Sequence, residues 1–471
     1  MIEGLQSFQN IFKVPELKRR VLMTLVLLAA YRLGAHVPTP GIDAAALAEF
    51  FNQVQGTLLG MVDLFSGGNL RRLTVFALGI MPYISASIIL QLLTVVWPYL
   101  EKLSKEGELG RRKITQYTRY GTVLLSIVQS LGIAVYLEKM TLGQQFQIVA
   151  SPGIAFKAMT VLTLTTGTAF IMWLGEQITE RGIGNGMSLL IFAGIVVGFP
   201  RGVIDSVQRI ARGEIGLITA ILLLVMMVLV VAAIVFVERG QRRITVQYAK
   251  RVVGRRMYGG QSTHLPLRVN TSGVIPVIFA SSIIAFPQTI ASFFQANNPW
   301  MQTVSEQLKW GMPLYNLLYV SFIIFFCYFY TAIVFNPDDV AENMRKYGGF
   351  VPGIRPGKRT AEYLDHILGR ITFGGAIYLA LIALLPEFLM AGFKVAPIPV
   401  IGPPLDLFLN DNNLGWITEG LHLNFYFGGT SLLIIVGVAM DTVAQVEAQL
   451  IMRHYDGFSG PGKGRRIRGR R

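Results

Sequence analysis

Ten long apolar runs alternate with polar segments along the chain, near residues 21–37, 73–97, 120–137, 156–175, 187–200, 215–237, 273–292, 314–335, 371–391 and 425–446. Most approach the roughly 20 residues that an α-helix needs to cross a bilayer. The pattern predicts an all-α polytopic membrane protein with about ten transmembrane helices. One run departs from it. The stretch from Phe65 to Leu93 is apolar in its second part, but Ser66, Gly67, Gly68, Asn69, Arg71 and Arg72 at its head would each need a polar partner in hydrocarbon. This predicts a broken helix, with a short polar half-helix dipping toward the membrane and a true span from about Leu73. Irregular backbone at membrane depth persists only against protein or a water-filled cavity, so the break predicts an aqueous path. The alternative is an ordinary external loop ahead of an ordinary helix.

A second stretch favours the break. The segment Gly79-Ile80-Met81-Pro82-Tyr83-Ile84-Ser85-Ala86-Ser87-Ile88-Ile89 is echoed, at an offset of 194 residues from Gly79 and Ile84, by Gly273-Val274-Ile275-Pro276-Val277-Ile278-Phe279-Ala280-Ser281-Ser282-Ile283-Ile284. Matched Gly/Pro-interrupted segments in two halves of a membrane chain point to an internal repeat and to its functional site. Ten spans divide between the fifth and sixth, and an odd number per half forces the halves into opposite orientation. The expected architecture is therefore two inverted five-helix halves around a central pore, with Ile84 and Ile278 meeting near the bilayer midplane. The N-terminal half is placed at 1–205, the C-terminal half at 206–455 and a basic tail at 456–471.

Composition agrees with the pattern. Apolar residues make up 52% of the chain and charged residues 15%, and the mean hydropathy is +0.50, far from a soluble globular chain. The net charge of +15 resembles a nucleic-acid signal until its location is considered. Threading the spans alternately puts 32 basic residues on one side and 9 on the other, with Arg32 inside the first span. That bias makes the basic side cytoplasmic and leaves both termini inside. Arg32 lies near the external end of its span, where a long side chain can snorkel. Lys18-Arg19-Arg20 ahead of an apolar run also resembles a cleavable signal peptide, but the apolar character continues past Ala30, which favours a retained span. The lone Cys327 sits in an apolar run and is expected to be a buried small hydrophobe.

Two cytoplasmic loops stand out. Residues 238–270 carry Arg239, Arg242, Arg243, Lys250, Arg251, Arg255, Arg256 and Arg268 against the single acid Glu238, interleaved with Ile244, Val246, Tyr248, Val252 and Val253. The alternation predicts a hairpin projecting from the membrane. Residues 336–370 contain Val351-Pro352-Gly353-Ile354-Arg355-Pro356-Gly357, where two prolines hold Arg355 on a stiff turn. Basic loops commonly reflect topology and contact with anionic lipids, but the length and stiffness of these two predict a docking surface.

Chemistry is sparse. The five histidines show no metal-ligand spacing and no Ser/His/Asp grouping is apparent, so no catalytic residue, metal or cofactor is expected. Gly357-Lys358-Arg359-Thr360 imitates the end of a phosphate-binding loop, but Pro352 stands where its first glycine belongs. Gly182-Ile183-Gly184-Asn185-Gly186 reads as a tight connection between two spans rather than a nucleotide site. No carboxylate or histidine relay lies near a span midplane, as an ion-coupled pump would need.

Several of these motifs together resemble the bacterial SecY family, central subunits of the protein-conducting translocon. They are Gly79 to Leu93, the run Gly175 to Gly186, Val237 to Arg243, Gln261 to Leu267, Val351 to Gly357, and Phe427-Gly428-Gly429-Thr430-Ser431-Leu432-Leu433. The resemblance implies a pore ring of Ile80, Ile84, Ile191, Ile278 and Ile434, with Ile435 adjacent to the last. It implies a plug over Asp63, Leu64, Phe65, Ser66, Gly67, Gly68, Asn69, Leu70, Arg71 and Arg72. It implies a lateral gate between the second and seventh spans, carrying Pro82, Ser85, Ser87, Gln91, Pro276, Ser281 and Ser282. It implies partner docking through Arg242, Arg243, Lys250, Arg251, Arg255, Arg256 and Arg355, with the ribosome and the SecA ATPase as partners, and SecE and SecG as membrane subunits. Signal sequences and nascent polypeptides would be the cargo, and the bacterial inner membrane the location. The chain departs from the family's usual short external connection at Gly392 to Asn424, expected to form an ordered external cap or lipid-surface loop. A secondary transporter of a small solute, which shares inverted repeats and broken helices, is the competing expectation.

Overall fold

The computed structural model describes residues 14–43, 45–47, 49, 66–142, 148–213, 216–248, 251–253, 256–258, 262–294, 299–308, 311–391 and 429–456. The expected plug residues Asp63, Leu64 and Phe65, the docking residues Lys250 and Arg255, the insertion at 392–424 and the tail from 457 lie outside them. A helix stands at each of the ten predicted spans. These are α1 (Pro15–Gly34), α2 (Met81–Val96), α4 (Glu108–Leu142), α5 (Ile154–Arg181), α6 (Gly186–Ala211), α7 (Leu217–Arg239), α8 (Ile275–Phe294), α10 (Pro313–Val334), α12 (Lys358–Ala391) and α13 (Gly429–Asp456). Shorter helices α3 (Pro98–Lys105), α9 (Pro299–Gln307) and α11 (Pro337–Lys346) connect them. Among the described residues, seven helices are long and apolar enough to cross a membrane, or eight if α2 and α3, bent by 99° at Trp97, count as one span. Pro98 accounts for that bend: it supplies no N–H and pushes Trp97 to extended backbone, φ −100° and ψ 112°.

Three boundaries differ from the expectation. The second span begins at Met81, not Leu73, because residues 67–80 form a succession of turns. Gly67, Gly68, Leu73 and Gly79 there have φ of 74°, 80°, 35° and 57°, left-handed conformations that interrupt a right-handed helix. The helix expected over 63–72 therefore does not extend beyond Ser66. The third span starts twelve residues earlier than predicted, at Glu108, since polarity ends a membrane crossing without ending a helix. Finally, α6 runs through Pro200 to Ala211, past the end of the fifth span expected near residue 200.

One apolar core draws on most of the spans, with Leu27 and Tyr31 from α1, Ile84 and Ile88 from α2, Ile171 from α5, Ile191 from α6, Ile278 from α8, Ile323 from α10, Leu379 from α12 and Leu433 from α13. A second core joins Leu70, Leu73 and Ala77 of the turn segment to Ala134 and Leu137 of α4 and Leu164 of α5. α7, with a mean hydropathy of 3.4 over its apolar window, exposes Leu222, Leu224, Leu229 and Phe236. Such an all-round apolar surface suits lipid.

The predicted hairpin is present and larger than expected. β1 (Gln241–Tyr248) pairs antiparallel with β4 (Ser262–Arg268), from Gln241 opposite Arg268 to Gln247 opposite Ser262. β2 (Arg251–Val253) and β3 (Arg256–Tyr258) form its tip. The other edge of β1 pairs with β5 (Gly349–Phe350), from the second basic loop. The sequence presents two separate loops, and the structure joins them in one three-stranded sheet. Pro266, which cannot donate to a ladder, sits on the edge strand β4. Ile244, Leu267, Val351 and Leu364 form a small core beneath it.

Candidate functional site: an aliphatic constriction and its surroundings

Both copies of the repeat start their helix in the same way. Gly79 and Gly273 take φ of 57° and 61°, and the helices follow at Met81 and Ile275 with proline second. Proline is well placed there, because the first N–H groups of a helix have no partner within it. The Ile84 N–H donates to the Ile80 carbonyl at 3.1 Å, and the Ile278 N–H to the Val274 carbonyl at 3.4 Å. The units share backbone conformation as well as residues.

Four of the five expected ring residues converge. Ile80, Ile84, Ile191 and Ile278, together with Ser66, Gly79, Met81 and Ser281, enclose a space of about 10 Å³, at the threshold for one water. The lining contains no ionisable side chain. The fifth residue, Ile434, is fully buried in the same apolar core but does not line this space. Its neighbour Ile435 is partly buried against that core. Val274, the register partner of Ile80 across the 194-residue offset, does not line this space. It packs toward α13, where a Cβ on Gly437 would come within 2.7 Å of its Cγ2.

Of the expected plug residues that the structure describes, Ser66 reaches this constriction, and Leu70 packs in the second core. The Ser66 Oγ accepts from the Leu70 N–H at 3.3 Å. The Tyr31 hydroxyl donates to the Ser66 carbonyl and accepts from Asn69 Nδ2, both at 3.4 Å, long and therefore weak bonds. Gly67 approaches α6 so closely that an added Cβ would lie 2.9 Å from Gly194 Cα and O. Thr39 donates to the Leu73 carbonyl and Val75 to the Val37 carbonyl, each at 2.9 Å, which stitches the segment to the chain leaving α1. Arg32 does not snorkel as expected: its guanidinium donates to the carbonyls of Ala193 and Gly194 in α6, beside the Tyr31 ring at 5.4 Å. Inside a bundle, spare carbonyl lone pairs are nearer than water. Tyr31 and Gly194 had no distinguishing sequence pattern, since a tyrosine and a glycine within spans are commonplace.

α2 and α8, the expected gate helices, are in contact. Pro82 is buried at the start of α2, and Pro276 occupies the matching place in α8. Gln91 Nε2 donates to Ser87 Oγ at 3.2 Å, while Ser281 and Ser282 donate to the Ile278 carbonyl at 2.9 and 2.8 Å. These bonds stay within one helix or the other. Ser85 is half-buried on α2.

The residues expected to dock a partner, where the structure describes them, lie on the sheet and its flank. Arg242 and Arg243 are exposed on β1. Arg355 is exposed on a turn held by the Ile354 N–H to the Val351 carbonyl at 3.1 Å and by Thr360 Oγ1 to the Arg355 carbonyl at 3.0 Å. Arg251 and Arg256 belong to β2 and β3, and their side chains lie outside the described residues.

A membrane helix bundle, a constriction of branched aliphatic side chains and a polar segment seated against it define a channel. The SecY family model matches residues 74–443, and the chain belongs to the SecY family. It is 53% identical over 443 residues to protein translocase subunit SecY of Escherichia coli (strain K12), covering 94% of this chain and 93% of that one. It is 44% identical over 454 residues to the same subunit of Aquifex aeolicus (strain VF5), covering 96% and 99%. Among solved structures, a protein-conducting channel matches with a TM-score of 0.60 at 16% identity, covering 94% of this chain and 95% of that one. Sec61 of a canine ribosome-channel complex from the endoplasmic reticulum matches with a TM-score of 0.55 at 15% identity and the same coverage.

Proposed function

We propose that the chain conducts unfolded secretory polypeptides through the constriction and releases apolar segments sideways between α2 and α8. The observation that carries this is the lining: four isoleucines and no ionisable group around a space of about 10 Å³. Branched aliphatic side chains are stiff and cannot hydrogen-bond, so they can close around a passing chain of any sequence. A dewetted apolar constriction also opposes ions. A transporter of a small polar solute would need polar groups converging there. Lateral release needs no chemistry, because an apolar segment leaving water gains about 25 cal/mol per Å² buried. The within-helix bonds of Ser87, Gln91, Ser281 and Ser282 let α2 and α8 part without breaking them.

A passive pore needs a motor. The cytoplasmic sheet presents arginines suited to phosphates or carboxylates, which supports docking of the ribosome or of the SecA ATPase. SecE and SecG as membrane subunits, anionic lipid at the basic face, a bacterial inner-membrane location and cytoplasmic termini complete the reading. They are supported by family membership and by the charge bias. The test is reconstitution of the chain with SecE, SecG and SecA in anionic-lipid vesicles. Protease-protected secretory precursor that accumulates only with ATP supports the reading. Accumulation of a labelled small solute by counterflow, without precursor transport, would replace it with a transporter.

A further inference from the structure

Between the last residue of β4 and the first of α8 the chain has only residues 269–274. A free connector of that length would absorb any movement of the sheet. This one is clamped. Asn270 is 4% exposed, and every polar atom of its side chain is used. Its Nδ2 donates to Glu238 Oε1 at 2.6 Å and to the Gly273 carbonyl at 3.1 Å. Its Oδ1 accepts from Ser272 Oγ at 3.2 Å.

The partners define what the clamp connects. Glu238 is in the last turn of α7, directly before β1, so the bond closes the base of the β1/β4 hairpin. Next to it, the Val269 N–H donates to the Gly240 carbonyl at 2.9 Å, continuing the ladder toward the membrane. Gly273 begins the repeated unit that places Ile278 in the constriction. The nearby Arg268–Asp441 pair, at 3.3 Å with side chains 53% and 60% exposed, is open to solvent and contributes little.

We propose that Asn270 is a positioning residue that couples the cytoplasmic sheet to the second gate helix, so that docking on the sheet moves Ile278. The proposal rests on the reading of the sheet as a docking surface. A buried amide with all its partners made is costly to disturb, so the hairpin base and the start of α8 move as one piece. The sheet acts as a lever and Asn270 as its pin.

The experiment uses the full chain with Cys327→Ala and cysteines at Ile84 and Ile278, reconstituted in vesicles, with bacterial ribosomes as the docking probe. In the parent, ribosome binding changes the yield of the 84–278 crosslink. In Asn270→Ala, ribosome affinity is unchanged, while the ribosome-dependent change in crosslinking falls about fivefold or more, as expected for loss of a coupling between sites. Glu238→Gln keeps an acceptor for Asn270 Nδ2 and leaves the Gly273 bond in place, so it retains the response that Asn270→Ala loses. A bare structural role would instead lower affinity and response together. A parent that responds alongside an Asn270→Ala variant that responds equally overturns the clamp and leaves the docking reading standing. A parent that binds no ribosomes, or shows no change, overturns both.

Discussion

Gly79 and Gly273, 194 residues apart, hold the same left-handed backbone, with φ of 57° and 61°, each two residues ahead of a helix whose second residue is proline. A repeat visible as a handful of matched letters is therefore also a repeat of conformation, and it sets Ile84 and Ile278 at one constriction. A Cβ on Gly273 would meet open space, and one on Gly79 would lie in ordinary contact with Ser66 at 3.6 Å. Replacing either by alanine thus isolates the backbone term. Each substitution is expected to cost about 1–2 kcal/mol, read as loss of unfolding free energy in detergent. Unchanged stability would mean that the turns do not need the left-handed state.

Gly67 and Gly68 separate strain from contact. Both have positive φ, 74° and 80°, but only Gly67 faces the α6 backbone, at 2.9 Å from an added Cβ, while Gly68 has nothing within 4 Å. Gly67→Ala is expected to unseat the segment and let resting vesicles leak ions, with Gly68→Ala leaking far less. Equal leakage in vesicle flux assays would show that the Gly194 contact is not what seats it.

The collar itself is tested by polarity. Ile84→Ser combined with Ile278→Ser places hydroxyls in a space that holds about one water. Single-channel conductance of small ions is expected to rise by about tenfold, the effect of some 1.4 kcal/mol on the barrier. Conductance at the parent level would show that the seal lies elsewhere.

The sequence made much of this legible, unevenly and for physical reasons. Membrane spans announce themselves because hydrocarbon admits little but apolar side chains, and a helix stands at each predicted place. The repeat was readable because Gly and Pro constrain backbone wherever they occur. Its helix start at Met81 was missed, because apolar letters from Leu73 onward look the same in a turn as in a span. The joining of two loops by Gln247–Phe350 pairing was invisible, since strands of two and eight residues far apart in the chain carry no mark of partnership. Arg32 was expected to reach for water. Whether a half-buried arginine finds a carbonyl depends on a neighbour 161 residues away.

Docking is expected to be electrostatic. Arg242→Glu, Arg243→Glu and Arg355→Glu are each expected to weaken ribosome binding by about tenfold, the scale of one charge-assisted hydrogen bond. Affinity for the parent should fall steeply as salt rises. Salt-independent binding in a sedimentation assay would remove the charge argument.

The most direct test arrests a secretory polypeptide halfway through reconstituted channels that carry, in a Cys327→Ala background, a single cysteine at Ile84 or at Ile278. The account predicts that the same short stretch of the arrested polypeptide crosslinks to both positions. A polypeptide that crosses the membrane while reaching neither cysteine would contradict it.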